Sequence, residues 1–161
     1  MADPSALLAA LGHGDRRALA RLLTLASNGE SLPPLPTPAK AAQVVALTGA
    51  GGVGKSTLAG RLIEVARGQG LKVGVLACDP QSPLSGGALL GDRFRMPPQP
   101  DDGIFIRSLA ALSGRGAVAE HLSVMIGLME TFGFDVVLIE TVGAGQGDTA
   151  VRELADVVVL L

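Results

Sequence analysis

Residues 46–62 read "ALTGAGGVGKSTLAGRL". The inner part, Gly49-Ala50-Gly51-Gly52-Val53-Gly54-Lys55-Ser56, fits G-x-x-x-x-G-K-[ST], the pattern of a phosphate-binding P-loop. Glycines leave backbone N–H groups free to converge on an anion, because no Cβ blocks the approach. The expected phosphate contacts are Gly49, Gly51, Gly52, Val53, Gly54, Lys55, Ser56 and Thr57. Lys55 supplies a point charge for the β- and γ-phosphates, and the Ser56 hydroxyl can ligate the Mg²⁺ that bridges them.

A pattern this short needs its setting. The run Val44-Val45-Ala46-Leu47 reads as a buried strand. After the loop, Leu58, Leu62, Val65 and Ala66 fall at helical spacing, which predicts a helix over about 55–68 with those residues on its apolar face. Strand, glycine loop and helix N-terminus form an anion site to which the helix dipole adds. A glycine-rich turn with a surface lysine is the competing reading, and this context disfavours it.

The composition narrows the rest. The chain has 161 residues, 48% of them hydrophobic, enough for a packed core. A net charge of −2 gives no basic bias toward nucleic acid or an anionic membrane. The single cysteine, Cys78, excludes an internal disulfide and a cysteine zinc cluster, and its place at the end of an apolar run suggests a small buried hydrophobe. The N-terminus lacks the basic start of a secretory signal, and no apolar run approaches the roughly 18–20 residues of a membrane helix. The expected location is cytoplasmic.

Residues 1–30 read as a helical segment with helices at 4–11 and 15–27, the second carrying an apolar stripe of Leu19, Leu22, Leu23 and Ala26. Residues 31–42 form a proline-rich linker. Residues 43–161 alternate strands with helices. The strands are expected near 44–48, 72–78, 104–106, 134–139 and 156–161, and the helices near 55–68, 115–132 and 148–154. That alternation predicts an α/β fold with a mostly parallel sheet covered on both faces. Because the last strand would ordinarily lead into a crossover and more sheet, the chain reads as the front portion of a longer protein.

Two further clusters fall at strand ends. In open parallel sheets, ligands bind beyond the carboxyl ends of the strands. Asp79 follows the second strand and is placed there, although an ordinary Asp-Pro turn explains it equally well. "VVLIE" ends at Glu140 and runs into Thr141-Val142-Gly143-Ala144-Gly145-Gln146-Gly147. An apolar strand ending in an acid suits the Mg²⁺ side of a P-loop site. The Gly143 backbone N–H can meet a γ-phosphate, and a glycine-rich loop can change shape when that contact is lost. Gln146 is a candidate for orienting the attacking water, against the plainer reading of a solvated loop residue. Lys55, Glu140 and Gln146 are thus the candidate catalytic residues. Between the clusters, residues 82–96 carry Asp92, Arg93 and Arg95, which by composition alone make a polar loop.

"DPQSPLSGGALLGDRFRM" and "ETVGAGQGDTAV", downstream of "GAGGVGKST", closely resemble the MeaB/ArgK family of P-loop GTPases associated with methylmalonyl-CoA mutase, formerly described as amino-acid transport ATPases or kinases. The resemblance covers about residues 5–161 and includes "GDRRALARL" near the start. It implies a three-layer P-loop NTPase fold of the SIMIBI type. It also implies a GTP- and Mg²⁺-dependent switch that delivers adenosylcobalamin to the mutase, or a related cobalamin enzyme, and protects it. Ser56, Asp79, Asp92 and Glu140 then match the groups around the Mg²⁺, and 82–96 and 141–149 match the switch regions. The family's guanine-reading Asn-Lys-x-Asp follows the last strand and does not occur up to Leu161, and the family's dimerising helices lie beyond it too. Other readings are a kinase or ATPase linked to amino-acid transport, a partitioning-type ATPase, and a non-catalytic nucleotide-binding fragment. Ala50 counts against the partitioning type, which has a lysine near that position.

Overall fold

The computed structural model describes residues 3–79, 103–110, 117–141 and 147–161; for 78, 79, 110, 117–120 and 147–150 it describes the backbone alone. Elements run in the order α1 (Pro4–Gly12), α2 (Arg16–Ser27), β1 (Gln43–Thr48), α3 (Lys55–Gly68), β2 (Val73–Asp79), β3 (Ile104–Ala110), α4 (Ala117–Phe132), β4 (Val136–Glu140), α5 (Gly147–Leu154) and β5 (Val157–Leu160). The strands form one sheet in the order β3-β2-β4-β1-β5, and every pairing is parallel. This is the layered α/β architecture expected from the alternation.

Two apolar clusters lie on opposite faces of the sheet, as strand alternation requires. Val73 and Val75 of β2 and Leu138 of β4 pack with Ile63 of α3. Leu76 of β2 and Val137 and Ile139 of β4 pack on the other face, with Leu122, Met125 and Met129 of α4. The predicted α2 stripe belongs to that second cluster: Leu19, Leu22, Leu23 and Ala26 are all buried there. The helical hairpin and α4 therefore share one core with the sheet.

Local chemistry explains the helix starts. Asp3 and Asp15 cap α1 and α2, Asp15 accepting from the N–H groups of Arg17 and Ala18. The proline-rich segment lies along α4, with Leu32 and Leu35 packed on the core and the Ala42 N–H donating to Glu130 Oε1 at 3.0 Å. At the lower end of the sheet, Asp135 accepts from the Lys72 N–H at 2.9 Å and from Lys40 Nζ at 3.1 Å. The Lys72 N–H, followed by the Lys40 ammonium, holds the Asp135 carboxyl below the ordinary carboxylate range against a smaller opposing effect of burial.

The structure differs from the sequence expectation in three places. The third strand is longer than the apolar run Ile104–Ile106, pairing with β2 from Val73↔Ile104 to Asp79↔Ala110. Arg107 and Ser108 interrupt the apolar pattern, yet Arg107 stays in the sheet because its Nη2 donates to Thr24 Oγ1 on α2 at 2.8 Å. The fourth strand begins at Val136, because the Phe134 N–H still bonds back to the Met129 carbonyl at the end of α4 and Asp135 forms the clamp just described. On α3, Leu62 and Ala66 pack on the core as expected, and one expected residue does not. Ala59 and Ile63 are its buried apolar residues, and Val65, expected on the apolar face, is 61% exposed. The inward face runs through Ala59, Leu62, Ile63 and Ala66, and Val65 lies at its margin. No helix among the described residues is long and apolar enough to cross a membrane.

Candidate nucleotide-binding site

The loop from β1 to α3 has the backbone its sequence demands. Gly49 has φ 141° and Gly54, which caps α3, has φ 103°, both conformations that L side chains rarely adopt. Gly49 is also crowded: an added Cβ would lie 2.5 Å from the Leu161 carbonyl oxygen. Leu161 reaches that place because its N–H continues the β1–β5 ladder by donating to the Thr48 carbonyl at 3.0 Å.

Lys55 is buried, and its ammonium folds back over the loop. Nζ donates to the carbonyl oxygens of Gly49 and Ala50, both at 2.9 Å. An ammonium has three N–H groups, so one remains for a ligand. Pattern reading missed these two acceptors, since backbone carbonyls leave no sequence signal.

Strand register brings in the acid. In β1 and β4, Leu47 pairs with Glu140, which places Glu140 level with the end of β1. Alternation puts Glu140 on the same face as Leu138, the face covered by α3. Ser56, the second residue of α3, donates from Oγ to Glu140 Oε1 at 2.6 Å. Glu140 is 4% exposed, and its Oε2 is buried with no hydrogen-bond partner. Thr141 holds the strand end in place: its N–H donates to the Leu47 carbonyl at 3.0 Å, and its hydroxyl donates to the same oxygen at 3.4 Å. This role was also not anticipated.

Lys55, Ser56 and Glu140 thus converge, with Gly49, Gly51, Gly52, Val53 and Gly54 forming the loop beside them and Thr57 exposed on the first turn of α3. The Asp79 backbone ends β2, two residues beyond Ala77, the cross-strand partner of Glu140. Asp92, Gly143 and Gln146 lie outside the described residues, as do residues 82–96, most of the 141–149 loop and the side chain of Cys78. Chemically, the arrangement offers an anion a fixed cation and loop amides. Beside them it offers a cation two adjacent oxygen groups, one of them an unmet buried carboxylate oxygen.

The chain is 44% identical over 164 residues to a Pyrococcus horikoshii protein named "Putative GTPase", covering 96% of this chain and 51% of that one. It is 42% identical over 147 residues to a fused isobutyryl-CoA mutase of Cupriavidus metallidurans, covering 86% of this chain and 13% of the relative. Among solved structures, a LAO/AO transport system kinase matches with a TM-score of 0.69 and 27% identity, over 98% of this chain and 49% of that one. The chain spans about half the length of the curated GTPase relatives it matches. The profile of one family matches residues 19–161, and the chain belongs to that family, the Methylmalonyl Co-A mutase-associated GTPase MeaB.

Proposed function

We propose that this chain carries the nucleotide-binding part of a Mg²⁺-dependent GTPase switch that serves a cobalamin-dependent acyl-CoA mutase. The observation carrying the Mg²⁺ reading is the buried, unpartnered Oε2 of Glu140 beside the Ser56 hydroxyl. A hard divalent cation takes oxygen ligands, and a desolvated carboxylate oxygen without a donor is costly unless a cation completes it. Ser56 would hold the ion directly, with Glu140 and Asp79 beside it and Asp92 contributing from the 82–96 loop. When bound, Mg²⁺ neutralises charge on the β- and γ-phosphates.

The chain's own groups do the remaining work. Lys55 is locked by two carbonyls with one N–H to spare, so it meets a phosphate oxygen with little reorganisation. Loop amides from Gly49 to Thr57 hold the phosphate chain, and the α3 N-terminus adds its dipole. Gly143 donates its N–H to the γ-phosphate, and Gln146 orients the attacking water. Loss of the γ-phosphate releases the loops at 82–96 and 141–149. Because relatives carry this region within fused isobutyryl-CoA mutases, the partner is read as a mutase of that chemistry, methylmalonyl-CoA mutase foremost. The switch delivers and protects adenosylcobalamin there, in the cytoplasm and as a homodimer of the full-length protein.

Binding of fluorescent GDP and ADP, with Mg²⁺ and with chelator, tests the site on this chain and on the full-length protein. Mg²⁺-dependent binding that favours GDP in the full-length protein supports the reading. A folded protein that binds neither overturns it. Phosphate release from GTP is then followed with and without the mutase. Slow hydrolysis altered by the mutase supports a switch; fast hydrolysis indifferent to it, or label passed to an acceptor, favours the ATPase or kinase alternative.

A further inference from the structure

Among the described residues, β3 is an outer strand of the sheet. It pairs with β2 in parallel from Val73↔Ile104 to Asp79↔Ala110. Successive residues of a strand turn their main-chain groups to opposite sides, so only alternate residues bond to the neighbour. The Val73 N–H donates to the Gly103 carbonyl at 2.8 Å, which fixes the phase. Phe105, Arg107 and Leu109 therefore bond to β2, and Ile104, Ile106 and Ser108 turn their N–H and C=O groups outward.

Exposed edges are ordinarily blunted against pairing with other chains. Here one residue is covered: Arg16 of α2 lies over the Phe105 ring, 5.3 Å from its centre, and its Nη2 donates to the Ile104 carbonyl. No described group bonds the outward N–H and C=O of Ile106 or Ser108, and β3 contains no proline. These two donors and two acceptors, about 6.7 Å apart along the strand, are what an added strand takes up.

The side chains beside the edge set the sign of its partner. Half-buried Arg107 donates from Nη2 to the neutral Thr24 hydroxyl at 2.8 Å, and its Nε is buried with no partner. Arg17 and Arg21 precede Thr24 by seven and three positions, which puts both on its side of α2, and both are exposed. Asp15, at the start of that helix, is turned to the N–H groups of Arg17 and Ala18. No described carboxylate pairs with Arg17, Arg21 or Arg107; the ion pairs Lys40–Asp135 and Arg61–Glu64 lie elsewhere.

We propose that the β3 edge docks an extended acidic segment of a partner protein, which joins the sheet as a further strand. Its main chain pairs with Ile106 and Ser108. Its carboxylates meet Arg17 and Arg21, and the uncompensated charge of Arg107 adds to their pull. This inference uses neither Ser56 nor Glu140 and survives the failure of the nucleotide reading.

The test titrates the intact protein, without nucleotide, into a labelled and blocked heptapeptide of alternating valine and threonine with glutamate at both ends. A lysine-ended peptide and a fully N-methylated acidic peptide are the controls, and fluorescence anisotropy reads binding. The expected result is saturable binding of the acidic peptide, at least about tenfold tighter than that of the lysine peptide. The methylated peptide should not bind, and hydrogen exchange should slow within 104–110. Ser108→Pro removes an outward N–H and leaves the β2 ladder whole, so it should abolish binding. Arg17→Glu combined with Arg21→Glu changes two exposed positions and should reverse the charge preference. No saturable binding of the acidic peptide overturns the proposal. So does equal binding of the acidic and lysine peptides, binding that survives methylation, or slowed exchange confined to other elements. Concentration-dependent protection of 104–110 without peptide would give the edge to a second copy of the chain and overturns it as well.

Discussion

Ser56 Oγ donates a 2.6 Å hydrogen bond to Glu140 Oε1, joining the start of α3 to the end of β4 across 84 positions of sequence. The contact rests on one strand periodicity and one loop. Strand alternation turns Glu140 toward α3, and the loop places Ser56 one residue inside that helix. The other carboxylate oxygen remains buried and unpartnered.

Ser56→Ala and Glu140→Gln should each weaken Mg²⁺-dependent GDP binding, by about tenfold or more for loss of a charge-assisted contact. Because the two groups act on one ion, the double variant should lose much less than the product of the single losses. Titrations at varied Mg²⁺ measure this. Effects that multiply independently would separate the residues.

Lys55→Ala should lower nucleotide affinity by about 100-fold, since it removes the one fixed cation described in the loop. Fluorescence titration reads the loss, and circular dichroism of the same sample checks that the fold persists. Full affinity with an intact fold would place the phosphates elsewhere.

Gly49→Ala should cost about 1–3 kcal/mol of stability, because it adds strain at φ 141° and a Cβ 2.5 Å from the Leu161 carbonyl. Gly54→Ala, at φ 103° with nothing within 4 Å of the added Cβ, carries the conformational cost alone and should cost less. Urea unfolding of the two variants compares them directly.

Asp135→Asn should destabilise the protein at neutral pH by up to about 1 kcal/mol, since the ionised carboxylate accepts from Lys72 and Lys40. The folded-state pKa is depressed, so this contribution is present in full above the unfolded value of about 4 and is lost as pH falls through the folded value. The gap between variant and parent in urea midpoint should therefore close below about pH 4. A gap that persists in acid would assign the effect to packing.

Much of this was legible in the chain. The glycine pattern located the loop between β1 and α3, the α2 stripe named Leu19, Leu22, Leu23 and Ala26, and "VVLIE" put an acid at a strand end. Each is a local signal, set by residue type and a short period. The misreadings were also local. Val65 matched helical spacing but faces water, because the packed face of α3 centres on Ala59, Leu62, Ile63 and Ala66. Arg107 ended the apparent third strand, because its partner Thr24 sits 83 positions away.

By itself the sequence determined the element order, the loop chemistry and the parallel class of the sheet, since these follow from periodicity and from what glycine, lysine and serine can do at close range. Only the tertiary structure decided that Glu140 meets Ser56, that Leu161 closes on Gly49, and that the helical hairpin shares its core with α4 and the sheet. Those contacts depend on strand order and register, which are settled by packing between distant segments and leave no mark in any short window of residues.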